Sequence, residues 1–241
     1  IDGENNYDYS GWAVSLSGDG NTVAIGAPGN GGNGYSSGHV RIFENSGGSW
    51  TQVGQDIDGE NSDDASGYSV SLASDGNSVA IGAYNNDGNG SNSGHVRIFE
   101  NSGGSWTQIG QDIDGENDYD ASGYSVSLDG HGNTVAIGAP WNDGNGYSSG
   151  HVRLYSKISD PNLGTWTWTQ VVQDIDGENG DNYSGWAVSL SEDGNSLAIS
   201  AIWNDDNGPF SGHVRIFNYD SDCAGCIDPL ALNFDSVAYV D

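Results

Sequence analysis

The feature that most constrains the fold is a repeated segment, Ile-Asp-Gly-Glu-Asn, which begins at Ile1, Ile57, Ile113 and Ile175. The intervals are 56, 56 and 62 residues, and the longer third interval contains an insertion around residues 156–165. Tandem units of roughly 40–50 residues or slightly more are typical of propeller blades. A single unit of this size cannot bury both of its faces, so each must be stabilised by stacking on the next.

Each copy contains the same series of short apolar runs, which in the first copy are residues 12–17, 22–27, 39–43 and 50–55. Turns rich in Gly, Asn, Ser and Asp separate them, and no segment has helical periodicity. Four short strands joined by hairpins are typical of a propeller blade. The chain is therefore predicted to be all-β, a four-bladed β-propeller of four-stranded antiparallel blades with a short C-terminal tail. The predicted repeats are 1–56, 57–112, 113–174 and 175–220, and the tail is 221–241.

The Trp-bearing fourth strand occurs only three times, at residues 50–55, 106–111 and 166–173. The fourth repeat continues instead into the tail, so the last blade is predicted to expose an unpaired strand edge that can accept another strand. The tail is the candidate strand donor, either to its own blade or to a neighbouring copy, and head-to-tail donation would build a filament. A three-stranded last blade with a loose tail is the third possibility. The candidate assembly residues alternate like a strand: Ser236, Val237, Ala238, Tyr239 and Val240.

The net charge of −29 argues against nucleic acid as a partner, since phosphate binding needs clustered Lys and Arg. No apolar segment approaches the ~20 residues of a membrane-spanning helix, so no membrane insertion is predicted. The charge is compatible with cation binding or with a solvated acidic surface.

The acidic loops that join consecutive repeats place carboxylates at i, i+2 and i+4, and carboxylate and carbonyl oxygens are the ligands that calcium takes. We predict that strand direction puts these loops on one face with the long Asn/Gly loops and their aromatic residues. Such a face suits calcium or sugars, while packing between loops is the simpler alternative. The candidate calcium ligands are Asp56, Asp58, Glu60, Asp112, Asp114, Glu116, Asp174, Asp176 and Glu178.

The pattern Gly-x-Ser-Val, Val-Ala-Ile-Gly-Ala-Pro and Gly-x-Val, at residues 123–126, 135–140 and 150–152, resembles the FG-GAP repeats of integrin-α-like propellers. The resemblance covers about residues 1–218 and implies a propeller fold. Propellers of that type carry an Asp-x-Asp-x-Asp-Gly calcium loop between the first two strands of a blade. Here that turn is shortened, as in Asp19-Gly20-Asn21, so the calcium site of the family does not carry over to these positions.

The tail, from Cys226-Ile227-Asp228-Pro229 to Phe234, resembles a short Gly-Cys-Thr-Asp-Pro module found at the ends of secreted bacterial surface proteins. This resemblance implies an extracellular or cell-surface location. In an oxidising compartment, Cys223 and Cys226 are expected to form a local disulfide. Asn89 and Asn182 lie in Asn-x-Ser sequons and are candidate glycosylation sites.

The motif His-Val-Arg recurs in all four repeats and contains four of the five histidines. Recurrence in every blade favours a structural part, with the Arg paired to an Asp of the adjacent blade. Apparent G-x-S-x-G and G-x-G-x-x-G matches lack the strand-to-helix context that their chemistry requires, so no enzyme is predicted. We expect an extracellular structural or adhesive module that assembles with copies of itself. The alternative is a calcium-dependent carbohydrate-binding module.

Overall fold

The computed structural model describes residues 1–160 and 164–218, which form eighteen strands in four antiparallel sheets. Blade 1 contains β1 (Ala13–Leu16), β2 (Thr22–Ala27), β3 (His39–Ser46), β4 (Ser49–Gln52) and β5 (Ile57–Asp58). Blade 2 contains β6 (Ser69–Leu72), β7 (Ser78–Ala83), β8 (His95–Ser102), β9 (Ser105–Gln108) and β10 (Ile113–Asp114). Blade 3 contains β11 (Ser125–Leu128), β12 (Thr134–Ala139), β13 (His151–Asp160), β14 (Thr165–Gln170) and β15 (Ile175–Asp176). Blade 4 contains β16 (Ser184–Leu190), β17 (Ser196–Ala201) and β18 (His213–Asn218).

The prediction of an all-β, four-bladed propeller is confirmed. The described residues include no helix, and therefore none with the length and apolar character needed to cross a membrane. Within each of the first three blades the first four strands pair in chain order. The described part of the fourth repeat has three strands and no Trp-bearing strand, as the strand count predicted.

Three details differ from the sequence prediction. The third strand of blade 1 extends beyond residue 43 to Ser46, because its pairing with β4 continues to the tight turn. The insertion in the third repeat lengthens a hairpin, since β13 and β14 pair from Tyr155–Gln170 to Asp160–Thr165. A two-residue strand that was not predicted, β5, pairs with β3 at His39 and Val40 and brings the acidic loop to the outer part of the blade.

Blades stack in chain order through their first strands, β1 on β6, β6 on β11 and β11 on β16. The apolar core lies between blades, because alternate residues of each strand face opposite neighbours. Between blades 1 and 2, for example, Val40 and Ile42 of β3 pack with Leu72 of β6 and with Trp106 of β9. Equivalent clusters fill the other two interfaces.

The closest approach between blades occurs at a glycine in each second strand. A Cβ on Gly26, Gly82 or Gly138 would overlap the carbonyl oxygen of a glycine at the start of the next blade. In the fourth repeat the same position is Ser200, whose hydroxyl oxygen accepts a hydrogen bond from the amide of Ala187 at 3.0 Å. Blade 4 therefore differs from the other blades at the point where a following blade would approach most closely.

Candidate functional site

The stacking leaves one face of blade 1 exposed, and we call the surface formed by Val14, Leu16 and Trp50 the blade 1 face. Leu16 is 59% exposed, whereas its counterpart Leu72 is 7% exposed against blade 1. Trp50 is 38% exposed, whereas its counterpart Trp106 is 3% exposed. The indole N–H of Trp106 donates a hydrogen bond to the backbone carbonyl of Val53 in the first repeat. The blade 1 face thus exposes side chains whose counterparts in blade 2 are buried in the contact between blades.

At the other end, Val214 and Ile216 of β18 form the blade 4 face and are 62% and 69% exposed. Their counterparts in blade 1, Val40 and Ile42, are 0% and 1% exposed because blade 2 covers them. The two exposed faces are therefore opposite halves of the contact that joins consecutive blades three times within the chain. The repeat pattern alone contains this signal, since the end repeats keep the same apolar alternation as the inner ones.

Each internal interface also has a recurring polar contact. The hydroxyl oxygen of Ser15 accepts a hydrogen bond from the backbone N–H of Leu72 in the next blade at 2.9 Å. Ser71 and Ser127 make the same contact with the following blades, also at 2.9 Å. Ser189 of blade 4 occupies the equivalent position, and Leu16 of blade 1 has the equivalent N–H.

The second candidate site is a Glu–His–Asp cluster that recurs in all four blades. In each cluster one oxygen of each carboxylate and one nitrogen of the imidazole lie within 4.8 Å of one another. In blade 2, Glu60 lies between β5 and β6, His95 lies in β8, and Asp112 lies between β9 and β10. The four clusters are Glu4–His39–Asp56, Glu60–His95–Asp112, Glu116–His151–Asp174 and Glu178–Asp206–His213.

These clusters divide the residues that we predicted as calcium ligands. Asp56 lies with His39 of blade 1, whereas Glu60 of the same loop lies with His95 of blade 2. The loop residue between them, Asp58, is held in β5 and belongs to neither cluster. Calcium binding stays a prediction, and the residues brought together are not the i, i+2, i+4 set. Sequence reasoning missed the histidines as site residues, although their constant position in each repeat was a signal.

Burial controls the charge state of the clusters. Desolvation, assisted by the positive charge of the neighbouring Arg97, lowers the pKa of His95 to about 4, so the imidazole is neutral at neutral pH. Burial and Arg153 lower the pKa of His151 to about 4 in the same way. Desolvation also raises the pKa of Glu60, an effect that Arg97 opposes and nearby aspartates reinforce.

The arginines of the His-Val-Arg motifs bridge consecutive blades, but their partner differs from the predicted Asp carboxylate. Arg97 Nη2 donates to the backbone carbonyl of Asp58 at 2.7 Å, and Nη1 lies 3.6 Å from Glu60 Oε1. Because β5 holds the Asp58 backbone, the carbonyl of that residue faces the guanidinium. The guanidinium also lies over the ring of Phe99 at 5.3 Å.

Aromatic side chains form a continuous series on the loop face. One ring per blade contributes to it, with 5.4 Å between Trp12 and Tyr68, 5.0 Å between Tyr68 and Tyr124, and 4.9 Å between Tyr124 and Trp186. Burial and the hydrogen bond with Tyr124 raise the pKa of Tyr68 well above its usual range. Beside the series lies a cavity of about 370 Å³, whose lining includes Tyr9, Trp12, Tyr35, Tyr68 and Tyr84.

The two sequon asparagines lie within the described residues. Asn89 donates its side-chain N–H groups to the carbonyls of Gly115 and Glu116, and Asn182 is buried, so a glycan on either would displace packed groups. Cys223, Cys226 and the assembly residues 236–240 lie outside the described residues.

Comparison with known families identifies the repeat. The profile of the FG-GAP repeat matches the chain four times, at residues 2–43, 56–99, 113–155 and 166–217. Together these matches cover most of the chain. Comparison with curated protein sequences gave no match.

Three different proteins of known structure are similar to this chain. The Kuenenia stuttgartiensis hydrazine synthase has 12% identity and a TM-score of 0.53, over 90% of this chain and 48% of that one. A candidate 6-phosphogluconolactonase from Bacteroides uniformis has 13% identity and a TM-score of 0.56, over 87% and 50%. The RRP9 WD40 repeats have 11% identity and a TM-score of 0.47, over 90% and 52%. At these identities the likeness to the first two structures shows the fold alone, and the chain spans about half the length of all three.

Proposed function

The chain belongs to the FG-GAP repeat family, and on that premise we propose that it is a non-catalytic extracellular structural module whose copies join head to tail. The observation that carries the proposal is the exposure of two complementary apolar faces, one at each end of the blade stack. Large contiguous apolar patches on a surface mark interaction sites. The recurrence of equivalent polar clusters in every blade supports a structural role, since catalysis needs one distinct constellation.

The proposed contact places the blade 4 face of one copy on the blade 1 face of another. Val214 and Ile216 would then pack beside Leu16, as Val40 and Ile42 pack beside Leu72. The hydroxyl oxygen of Ser189 would accept a hydrogen bond from the backbone N–H of Leu16, as the equivalent serines do at the internal interfaces. Because the two faces differ, the contact is heterologous, and it either closes a ring or extends a fibre. Two copies would close a ring of eight blades, a number within the usual propeller range of about 4–8.

Ser200 modifies this contact at its inner end. With the internal geometry its Cβ would meet the Gly11 carbonyl, as a Cβ on Gly26 would meet that of Gly67. Gly11 has no atom within 4 Å of the position of its own Cβ, so the start of blade 1 has room to shift. The proposal is therefore that the outer, apolar part of the contact is kept while the inner end opens slightly.

An extracellular location and strand donation by the tail remain part of the proposal. The resemblance of the tail to a module of secreted surface proteins supports the location. In the described part of blade 4, β18 has a partner only on the β17 side, which leaves an edge for a strand from residues 227–241. That strand would add backbone hydrogen bonds beside the packing of the two faces.

Charged substitutions test the proposed contact. Leu16→Glu and Ile216→Glu each place a carboxylate in the apolar contact, so both variants should remain monomeric at concentrations where the parent chain associates. Size-exclusion chromatography with light scattering measures the mass. Ile158→Glu is the matched control, since Ile158 is 47% exposed and lies on the extended hairpin of blade 3, away from both faces.

A monomeric parent chain at high micromolar concentration would refute the proposal. Unchanged association of both Glu variants, with circular dichroism showing that each is folded, would refute it equally. A chain lacking residues 227–241 separates the two contributions, because tail donation predicts monomers whereas packing of the faces alone predicts retained association.

The aromatic cavity supports a second candidate function, calcium-dependent carbohydrate binding. Ring faces stack on sugars, and Tyr35 is 79% exposed at the rim of the cavity. Tyr35→Ala should weaken retention on a glycan array, whereas Tyr147→Ala is the matched control, since Tyr147 is the equivalent tyrosine of the third repeat and lies outside this cavity. Equal glycan retention of the two variants, or no retention of the parent with calcium or with a chelator, would exclude this function.

A further inference from the structure

The Glu–His–Asp clusters have a ligand set that the predicted calcium sites lacked, namely an imidazole nitrogen. From this we propose that the clusters at His39, His95 and His151 each bind a divalent cation of the zinc class and that the ions at His95 and His151 tie consecutive blades together. Calcium takes six to eight oxygen ligands, whereas zinc takes four ligands and readily accepts imidazole. Two carboxylates and one imidazole leave one position of a tetrahedral zinc ion for water.

The distances between histidine and glutamate are close to those that a bound ion requires, and the aspartate oxygen lies within 4.8 Å of both. Glu60 Oε2 lies 3.9 Å from His95 Nδ1, and Glu116 Oε2 lies 3.8 Å from His151 Nδ1. Ligands at about 2.0–2.2 Å from a tetrahedral ion stand roughly 3.3–3.6 Å apart. Glu60 and Glu116 are 40% and 39% exposed in their side chains, so a shift of a few tenths of an ångström meets little resistance.

Three of the four cluster histidines are almost fully buried and face the carboxylates. The His39, His95 and His151 residues are 2%, 2% and 1% exposed, and each directs Nδ1 at a carboxylate 3.8–4.0 Å away. This separation is longer than a hydrogen bond. An ion between the imidazole and the carboxylates would replace this long separation with direct bonds to both.

The aspartates of the first three clusters are each oriented by a recurring hydrogen bond from a glutamine. Gln108 Nε2 donates to Asp112 Oδ1 at 2.6 Å, which leaves the other carboxylate oxygen for the ion. The same contact joins Gln52 to Asp56 at 2.6 Å. In blade 3, Gln170 donates to Asp174 at 2.7 Å. Outer hydrogen bonds of this kind hold metal ligands in position and raise affinity.

Local charge also favours a cation. The blade 2 cluster holds the carboxylates of Glu60 and Asp112 beside one guanidinium, that of Arg97, whose Nη1 lies 3.6 Å from Glu60 Oε1. The sum is one negative charge, within a chain whose net charge is −29. Because Glu60 lies between β5 and β6 and Asp112 lies between β9 and β10, an ion would link both segments to β8.

The blade 4 cluster differs in a way that predicts weaker binding. Its third ligand is Asp206, which comes from the long loop before β18, whereas the aspartates of the other clusters directly precede β5, β10 and β15. The His213 side chain is 21% exposed, ten times more than the other three. Water therefore competes more effectively there, and three ions per chain are expected to bind more tightly than a fourth.

The test uses the full chain, stripped with a chelator and dialysed against zinc chloride, with magnesium and calcium chloride at matched ionic strength as controls. Plasma mass spectrometry should find about three zinc ions per chain, and calorimetry should show a melting temperature that rises with zinc more than with the other two ions. His95→Gln should lower the stoichiometry by one ion. His131→Gln is the matched control, because His131 lies in the turn before β12 outside all four clusters.

Glu60→Gln serves as a second variant that removes one ligand without opening the buried histidine position, and it should also lower the stoichiometry by one. Fewer than one zinc ion per chain at excess zinc would overturn the proposal. Calcium bound in preference to zinc would overturn it too, as would full zinc stoichiometry in both ligand variants.

Discussion

Replacement of Gly138 by alanine is expected to lower the free energy of unfolding by about 2–4 kcal/mol, because the added methyl group has no space between two blades. A Cβ at this position would overlap the carbonyl oxygen of Gly185 and crowd the hydroxyl of Ser125. The obstacle is backbone of the next blade, so it cannot rotate away as a side chain would. Blade 4 would have to move outward, which weakens the apolar cluster of blades 3 and 4.

Urea denaturation monitored by tryptophan fluorescence measures this loss of stability. Gly31→Ala is the matched control, since its Cβ would lie 3.7 Å from the nearest atom, the carbonyl oxygen of Gly34, in an ordinary contact. Gly138→Ala as stable as Gly31→Ala would contradict the close approach of the blades.

Mixing two variants that do not associate alone should restore association, and this is the second large effect we expect. Leu16→Glu keeps an intact blade 4 face, and Ile216→Glu keeps an intact blade 1 face. An equimolar mixture therefore contains one complementary pair of faces and should form a complex of two copies that cannot grow further. Light scattering of each variant alone should give the monomer mass, and that of the mixture twice this mass.

Ser200→Gly extends the same experiment. Removing the Ser200 side chain allows the internal blade geometry at the inner end of the contact, so association of this variant should be tighter than that of the parent. A mixture of Leu16→Glu and Ile158→Glu is the control. Both chains then carry a substitution, but the Ile158→Glu variant keeps its blade 1 face and its blade 4 face intact. A mixture of Leu16→Glu and Ile216→Glu that stays monomeric would exclude the head-to-tail contact, whatever the behaviour of the tail.

The local sequence pattern predicted the longer strands but not the two-residue ones. The second strand of the first repeat was predicted at Thr22–Ala27 and is found there, because its alternation and its flanking turns are encoded locally. The short strand β5 was not predicted, since two residues have no periodicity and form a strand only by pairing with β3. The insertion of the third repeat was located around residues 156–165 from the repeat spacing, but only the pairing between β13 and β14 shows that it lengthens a hairpin.

The sequence by itself determined the all-β fold, the number of blades, the order of strands and the absence of a Trp-bearing strand in the described part of the last blade. These follow from a repeat whose copies keep the same apolar alternation and the same turns. Only the tertiary structure decided which residues meet across blades. Glu60 lies beside His95 and apart from Asp56, because strand pairing directs one end of each acidic loop to each neighbouring blade. The exposure of Leu16 and Ile216 is likewise a property of stacking, since identical patterns are buried or exposed according to whether a further blade covers them.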